Sequence, residues 1–211
     1  MSEHYFTADP ASPSAPRIAT LALPDVRFDL VTDAGVFSAG HVDPGTLVLL
    51  RAAPEPAIRG DLLDLGCGYG PIALTIAHRR KRARVWAVDV NERALDLTRR
   101  NAEAAGRGNV KACPPDEVPD DVRFAAIYSN PPIKVGKGVL HEMLLRWLPR
   151  LLPGGSAYLV VQKHLGADSL ARWIAEQGFP TTRLTSERGY RVLSVSPRLE
   201  DPECTSSAAP S

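Results

Sequence analysis

The amino-acid sequence predicts an α/β protein: a doubly wound, mostly parallel seven-stranded sheet with one antiparallel strand, preceded by a short N-terminal β-hairpin extension. Three observations predict it. Leu62, Leu63 and Leu65 form a compact apolar run that leads through Gly66, Gly68 and Gly70 into a helical pattern starting at Pro71. Such a run suits a strand buried on both faces of a parallel sheet. Strand and helix patterns then alternate with short connections, the signature of repeated β-α units. Finally, two strand patterns flank the tight turn Glu187-Arg188-Gly189-Tyr190. A hairpin there turns the last strand antiparallel to the rest.

The elements follow in order. Residues 1–16 are polar and proline-rich and read as a flexible leader, with Tyr5 and Phe6 as its only docking handles. Strands are expected at Ile18 to Leu23 and Val26 to Val31, joined at Pro24-Asp25; Val26, Phe28 and Leu30 alternate with polar neighbours. Asp43 can cap a helix begun by Pro44, with Leu47 to Leu50 on its buried side. This hairpin and helix make an extension over 17–57, ahead of a main domain over 58–196. Within that domain the strands are Leu62 to Leu65, Val85 to Val88, Val110 to Cys113, Phe124 to Tyr128 and Ala157 to Val161. The helices between them run from Pro71 to Arg79, from Glu92 to Ala104, and through Leu140, Met143, Leu144, Trp147 and Leu148 until Pro149. Pro153-Gly154-Gly155 reads as a turn into the fifth strand. A helix from Ala167 to Gln177 and strands at Thr182 to Thr185 and Arg191 to Ser196 complete the pattern. Residues 197–211 lack apolar periodicity and read as a disordered tail.

Composition narrows the class. Lys+Arg 25 against Asp+Glu 24 gives +1, so any nucleic-acid surface must be local. Cys67, Cys113 and Cys204 are dispersed, and neither they nor the scattered histidines have metal-ligand spacing. This points to a reduced, cytoplasmic protein without a metal. No signal peptide is expected at the polar start, and no apolar run approaches the ~20 residues that span a bilayer.

The glycine turn identifies a nucleotide-type loop. A dinucleotide fingerprint would need its third glycine where Pro71 stands, and no Lys-Ser or Lys-Thr follows to make a P-loop. The pattern is instead D-x-G-x-G-x-G from Asp64 to Gly70. The next strand ends in Asp89, placed to accept hydrogen bonds from a ribose diol. Ligands of open α/β sheets lie beyond the carboxyl ends of the strands. That edge also receives Asn130-Pro131-Pro132, Gln162-Lys163-His164 and the Glu187 to Tyr190 turn.

Two prolines make the Asn130 loop stiff. A conjugated amino group is a weak nucleophile, because its lone pair is delocalised. If the Asn130 side-chain oxygen and the Pro131 carbonyl each accept one of its N–H bonds, the nitrogen can pyramidalise toward an electrophilic methyl. Catalysis is then mainly positioning, with no strong base required.

With these residues in view, the glycine loop followed by Asp89 resembles class I S-adenosylmethionine (SAM) methyltransferases. Asn130-Pro131-Pro132 resembles their amino-group-modifying members. The stretches HYFTADP, TDAGVFSAGHVDPGT, DLLDLGCGYGPIAL, DVNERAL, NPPIKVGKGVLH and GYRVL narrow the resemblance, over most of residues 4–195, to the small-domain family related to ribosomal small-subunit methyltransferase C. The resemblance implies a Rossmann-like fold and SAM-dependent methylation of guanine N2 in 16S rRNA. It implies a cofactor held by Asp64, Gly66, Cys67, Gly68, Tyr69, Gly70, Asp89, Val90 and Asn130, with Phe37 and Ser38 in a segment, 37–46, that closes over it. The amino group would sit at Asn130, Pro131 and Pro132. Asp116 stands in for the acid that meets the adenine. Ile133 occupies the position of a base-stacking aromatic; it can pack against a base but not stack with it. No counterpart of the additional amino-terminal domain of the longer members is expected, and substrate recognition is expected to rest on one domain.

The cluster Arg79-Arg80-Lys81-Arg82 with Arg84 falls on the edge opposite the loops and reads as a solvated helix cap, with contact to distant rRNA in a large particle as the alternative. Lys134, Lys137, Lys163, Arg188 and Arg191 fall on the loop edge and are the candidates for phosphates around a flipped nucleotide; His41 and His141 accompany them. The expected partner is ribosomal RNA or the small ribosomal subunit. Two alternatives stay open: an N-methyltransferase for a protein glutamine or a small-molecule amine, and a non-catalytic SAM-binding ribosome-assembly factor.

Overall fold

The computed structural model describes residues 13–198. The leader up to residue 12 with Tyr5 and Phe6, and the tail from 199 with Cys204, lie outside the described residues. Strands β1 (Arg17–Ala22) and β2 (Arg27–Thr32) pair antiparallel as a separate hairpin, closed by reciprocal bonds between Leu23 and Val26. Alternation buries Ala19, Leu21 and Leu30 on one face, while Thr20 donates to Asp29 on the other. Helix α1 (Pro44–Ala52) follows, and the Asp43 side chain accepts from the Thr46 amide as its N-cap.

The remaining elements are β3 (Asp61–Leu65), α2 (Pro71–Arg79), β4 (Val85–Val88), α3 (Glu92–Ala104), β5 (Val110–Cys113), β6 (Phe124–Ser129), α4 (Lys137–Trp147), β7 (Leu151–Gln162), α5 (Ala167–Glu176), β8 (Thr181–Glu187) and β9 (Tyr190–Val195). The order across the seven-stranded sheet is β5-β4-β3-β6-β7-β9-β8, and β9 alone runs opposite to the other six strands. The chain leaves β3 toward β4 and β5, then returns to lay β6 and β7 on the other side. The crevice between the ends of β3 and β6 is therefore the topological switch point, where open sheets take their ligands.

Period-2 alternation sorts side chains to two cores. Leu62, Ala87, Ala126 and Val160 join α1, α2, α3 and the hairpin on one face. Leu63, Leu65, Trp86, Ile127 and Leu159 join α4 and α5 on the other. Asp64 falls on the α2 face and is fully buried there. Among the described residues no helix is long and apolar enough to cross a membrane.

One expectation needs correction. Pro153-Gly154-Gly155 does not precede the fifth strand; it lies inside β7 as a bulge. The ladder advances from Phe124 to Ala126 on β6 while β7 advances from Leu151 to Ser156, two residues against five. Gly155 permits this, since a Cβ there would stand 2.9 Å from the carbonyl oxygens of Ala125 and Leu152. The β8–β9 turn places Arg188 at φ 49° and Gly189 at φ 81°, positive at both central positions as a type I′ hairpin requires.

Candidate active site

The loop after β3 is drawn against the end of β4. The amides of Gly66 and Cys67 both donate to the Val88 carbonyl, at 2.8 and 3.0 Å. Asp89 completes the tie: one carboxylate oxygen accepts from the Gly68 amide at 2.9 Å, the other from the Asn91 amide at 3.0 Å. Burial pushes its carboxyl above the ordinary range, and bonds from the Asn91, Gly68 and Val90 amides oppose that rise. Each oxygen keeps a lone pair for a further donor.

The three glycines do different work. Gly66 (φ 76°) and Gly68 (φ 57°) are left-handed, and a Cβ would meet nothing within 4 Å at Gly66 and only Val36 at 4.0 Å at Gly68. Bare backbone thus faces open cleft. Gly70, at φ 94°, has no such space: a Cβ would stand 2.8 Å from Leu74 and 3.1 Å from Thr98. Its smallness seats α2 against α3.

Asp64 lies beneath this loop rather than in the cleft. It accepts from the Ala73 amide at 2.8 Å, satisfying a first-turn donor of α2, and burial lifts its carboxyl to about 8. Cys67 and Tyr69 are also turned inward. The Tyr69 hydroxyl donates to the His41 carbonyl at 3.0 Å, and Cys67 and Tyr69 border a small annex with Phe37 and Ser38. The direct contact expected of Asp64 is corrected to support of the loop from below.

The main cleft, about 330 Å³, opens over the carboxyl ends of β3, β4, β6 and β7. Gly66, Gly68 and Asp89 line one side, Asn130, Pro131, Pro132 and Ile133 the other, and Phe37, Gln162 and Tyr190 also border it. Around Asn130 the geometry is tight. Its side-chain nitrogen donates to Asp43 Oδ1 at 2.8 Å and to Thr46 Oγ1 at 3.1 Å. Among the described residues no donor reaches its side-chain oxygen. Pro132 sits at φ −75°, ψ 75°, an inverse γ-turn in which the Ile133 amide donates to the Pro131 carbonyl at 2.9 Å. That carbonyl keeps one lone pair.

Several expected residues lie elsewhere. Asp116 is exposed and held by Arg146 at 2.8 Å, so it does not line the cleft. Val90 is 43% exposed and lies outside the cleft lining. Arg191 is buried and paired with Asp168, which removes it from the free cations. His141 stacks on Trp173, with ring centroids 3.5 Å apart. Lys137 begins α4, Lys163 begins a one-turn helix, and Arg188 occupies the β8–β9 turn; all three are exposed on the carboxyl rim. Lys134 is the middle residue of the one-turn helix Ile133–Val135 on the same rim. On the opposite edge Arg79 pairs with Asp25 and Arg80 with Glu55.

The structure adds contacts that the sequence did not reveal. Asp43 and Thr46 hold Asn130 across separations of 87 and 84 residues. Gln162 Nε2 donates to the Tyr190 hydroxyl at 3.0 Å in the cleft wall. Asn101 links β2 and the glycine loop to α3. In the sequence Asp43 reads as a helix cap within the segment expected to close over the cofactor, and nothing local marks its contact with Asn130 or the other contacts.

Known proteins resemble this one closely. The family model described as methyltransferase small domain matches residues 27–194. The uncharacterized protein YbxB of Bacillus subtilis is 36% identical over 198 residues, covering 92% of this chain and 98% of that protein. Ribosomal RNA small subunit methyltransferase C of Hahella chejuensis is 42% identical over 171 residues, covering 78% of this chain and 48% of that protein. Among solved structures, the 16S rRNA N2 methyltransferase of T. thermophilus, in complex with AdoMet and guanosine, aligns with a TM-score of 0.71 at 29% identity. That alignment covers 88% of this chain and 52% of the other. The chain thus spans about half the length of these two rRNA methyltransferases.

Proposed function

The chain belongs to the methyltransferase small domain family, and from that premise we propose that it methylates an exocyclic amino group, N2 of a guanine in 16S ribosomal RNA. It is a SAM-dependent methyltransferase related to the rRNA small-subunit enzymes. SAM supplies an electrophilic methyl carried on a sulfonium. The described residues fit that group: Gly66 and Gly68 offer backbone with open space where a side chain would stand. Asp89 has acceptor capacity left for a ribose diol. Phe37 and Ser38, beside the same loop, would cover the bound molecule.

The observation that carries the amino-group reading is the orientation of Asn130. Its amide nitrogen is committed to Asp43 and Thr46, which leaves the side-chain oxygen as an acceptor at the β6 end of the cleft. With the remaining lone pair of the Pro131 carbonyl, this makes two acceptors on a stiff loop. An amino group donating to both is held out of conjugation with its lone pair directed away from them. The residues act by placement, and the proton becomes acidic once nitrogen is alkylated. Lys134, Lys137, Lys163 and Arg188, around the rim, are assigned to phosphates flanking the base. The small ribosomal subunit or its RNA is the proposed partner.

The test is transfer of labelled methyl to rRNA from a strain lacking the protein, followed by nucleoside mass spectrometry. N2-methylguanosine is the expected product; a modified adenosine or no incorporation overturns the substrate. Asn130→Ala should retain SAM affinity and lose turnover. Two observations favour a second reading, a protein glutamine or small amine: Ile133 offers no ring for a base, and Arg191 is spent on Asp168. Salt separates the two, since RNA binding weakens steeply with ionic strength and binding of an uncharged amine does not.

A further inference from the structure

We propose that Asp43, in the N-terminal extension rather than in the sheet that carries the reaction loop, is a positioning residue that aims the Asn130 carbonyl oxygen, with Thr46 as its second support. The inference rests on the amino-group reading of Asn130. An asparagine side chain is nearly symmetric in shape, and rotation about its last bond exchanges an acceptor for a donor. In the wrong orientation the residue would present N–H groups to the amine and repel it. What decides the orientation is the neighbour on the far side. Asp43 Oδ1 lies 2.8 Å from Asn130 Nδ2, and an ionised carboxylate only accepts, so the nitrogen must face it. Thr46 Oγ1, at 3.1 Å, takes a second bond from the same nitrogen. With both hydrogens used, the oxygen is turned away from α1 and toward the cleft that Asn130 lines. The negative partner also polarises the amide, making that oxygen a better acceptor.

Asp43 is itself held firmly. The same Oδ1 caps α1 through the Thr46 amide at 3.1 Å. Gly45 packs so closely under the Tyr190 ring that a Cβ would stand 2.6 Å from it and 2.9 Å from the Asp43 carboxylate. The first turn of α1 is therefore wedged between β9 and the reaction loop. The extension thus completes the reaction centre, as well as covering the sheet.

The test measures methyl transfer, SAM affinity and thermal stability for Asp43→Ser, Asp43→Asn, Thr46→Val, Asn130→Ala and the Asp43→Ser/Asn130→Ala pair. Serine keeps the helix cap but is too short to hold Asn130. Its kcat should fall about 100-fold, the scale of a misplaced reacting group, with SAM affinity within about threefold and a similar melting temperature. Asp43→Asn, which still offers an oxygen, should recover turnover to within about tenfold of the parent. Thr46→Val removes one acceptor without touching the cap acceptor and should cost about tenfold. In the Asn130→Ala background Asp43→Ser should change nothing further, because the side chain it positions is gone. Normal turnover in both Asp43→Ser and Thr46→Val overturns the inference. So does Asp43→Asn falling as far as Asp43→Ser, which would make Asp43 a base, and so do losses that multiply in the pair. Unimpaired Asn130→Ala is a different failure, sinking the amino-group reading itself.

Discussion

Replacing Asn101 by alanine should both unfold the protein more easily and loosen the glycine loop. Asn101 is a buried residue of α3 whose side chain joins three segments. Its oxygen accepts from the Val31 amide, and its nitrogen donates to the Val31 and Tyr69 carbonyls, each at 2.8 Å. A buried hydrogen bond contributes about 1 kcal/mol net, and a polar group left unpaired costs about 1–3 kcal/mol. Val31 is half-buried and water can reach it in part; Tyr69 is buried and its carbonyl would stay orphaned. The sum is a loss of about 3–5 kcal/mol, a large share of a domain's total stability. Urea unfolding should show it as an earlier midpoint with an unchanged slope. Because Tyr69 belongs to the glycine loop, calorimetry should also show SAM affinity falling about tenfold, or ~1.4 kcal/mol. Asn101→Asp keeps the acceptor, loses both donors and should be nearly as damaging. A loss below about 1 kcal/mol with parental affinity would refute the reasoning, showing that the hairpin and loop are held by packing alone.

Other perturbations follow from the same geometry. Asp89→Ala removes the bonds to the Gly68 and Asn91 amides together with the ribose acceptor, and SAM binding should become undetectable by calorimetry; unchanged affinity refutes the assignment. Gly70→Ala should cost about 2–4 kcal/mol in urea, combining a left-handed alanine with overpacking against Leu74 and Thr98. Gly66→Ala should cost only about 1–2 kcal/mol of stability yet weaken SAM binding more, since its methyl enters the cleft; indistinguishable behaviour of the two would contradict the division of roles. Asp64, with its carboxyl raised from 3.8 to about 8, keeps a proton in the folded state that the unfolded chain releases. Its contribution to stability is therefore full below pH ~4 and declines as pH rises to ~8. Asp64→Asn should gain on the parent progressively as pH rises from about 5.5 to about 8.5 in urea titrations, while the decline from Asp89, which has the same sign, remains; parallel curves would show that Asp64 does not hold that proton.

Much of this architecture can be read from local pattern. Leu62, Leu63 and Leu65 before a glycine turn identify a doubly buried strand, because only a strand covered on both faces tolerates such a run. Gly189 is enough to mark the last hairpin, even though its neighbour Arg188 takes up, at φ 49°, a left-handed conformation that glycine more often adopts. Boundaries moved where pairing partners extend an element, as when β8 runs on to Glu187 opposite Tyr190. The bulge at Pro153 to Gly155 was not legible, because proline and glycine mark a break in the ladder without saying whether the strand resumes. Nor was the fate of the charges. Asp116 and Arg191 look available in the sequence, but Arg146 and Asp168, from helices distant in the chain, already hold them.

The sequence by itself determined the sheet, the glycine loop, the acid after β4 and the stiff Asn-Pro-Pro turn, since each depends on neighbours within a few residues. Only the tertiary structure decided which glycines face the cleft, that Asp64 lies below it, and which way Asn130 presents its oxygen. Those facts depend on groups such as Asp43 and Asn130, 87 residues apart, meeting at one sheet edge. Hydrogen bonding is short-ranged and directional, so a contact of that kind exists only once folding has brought its two ends together.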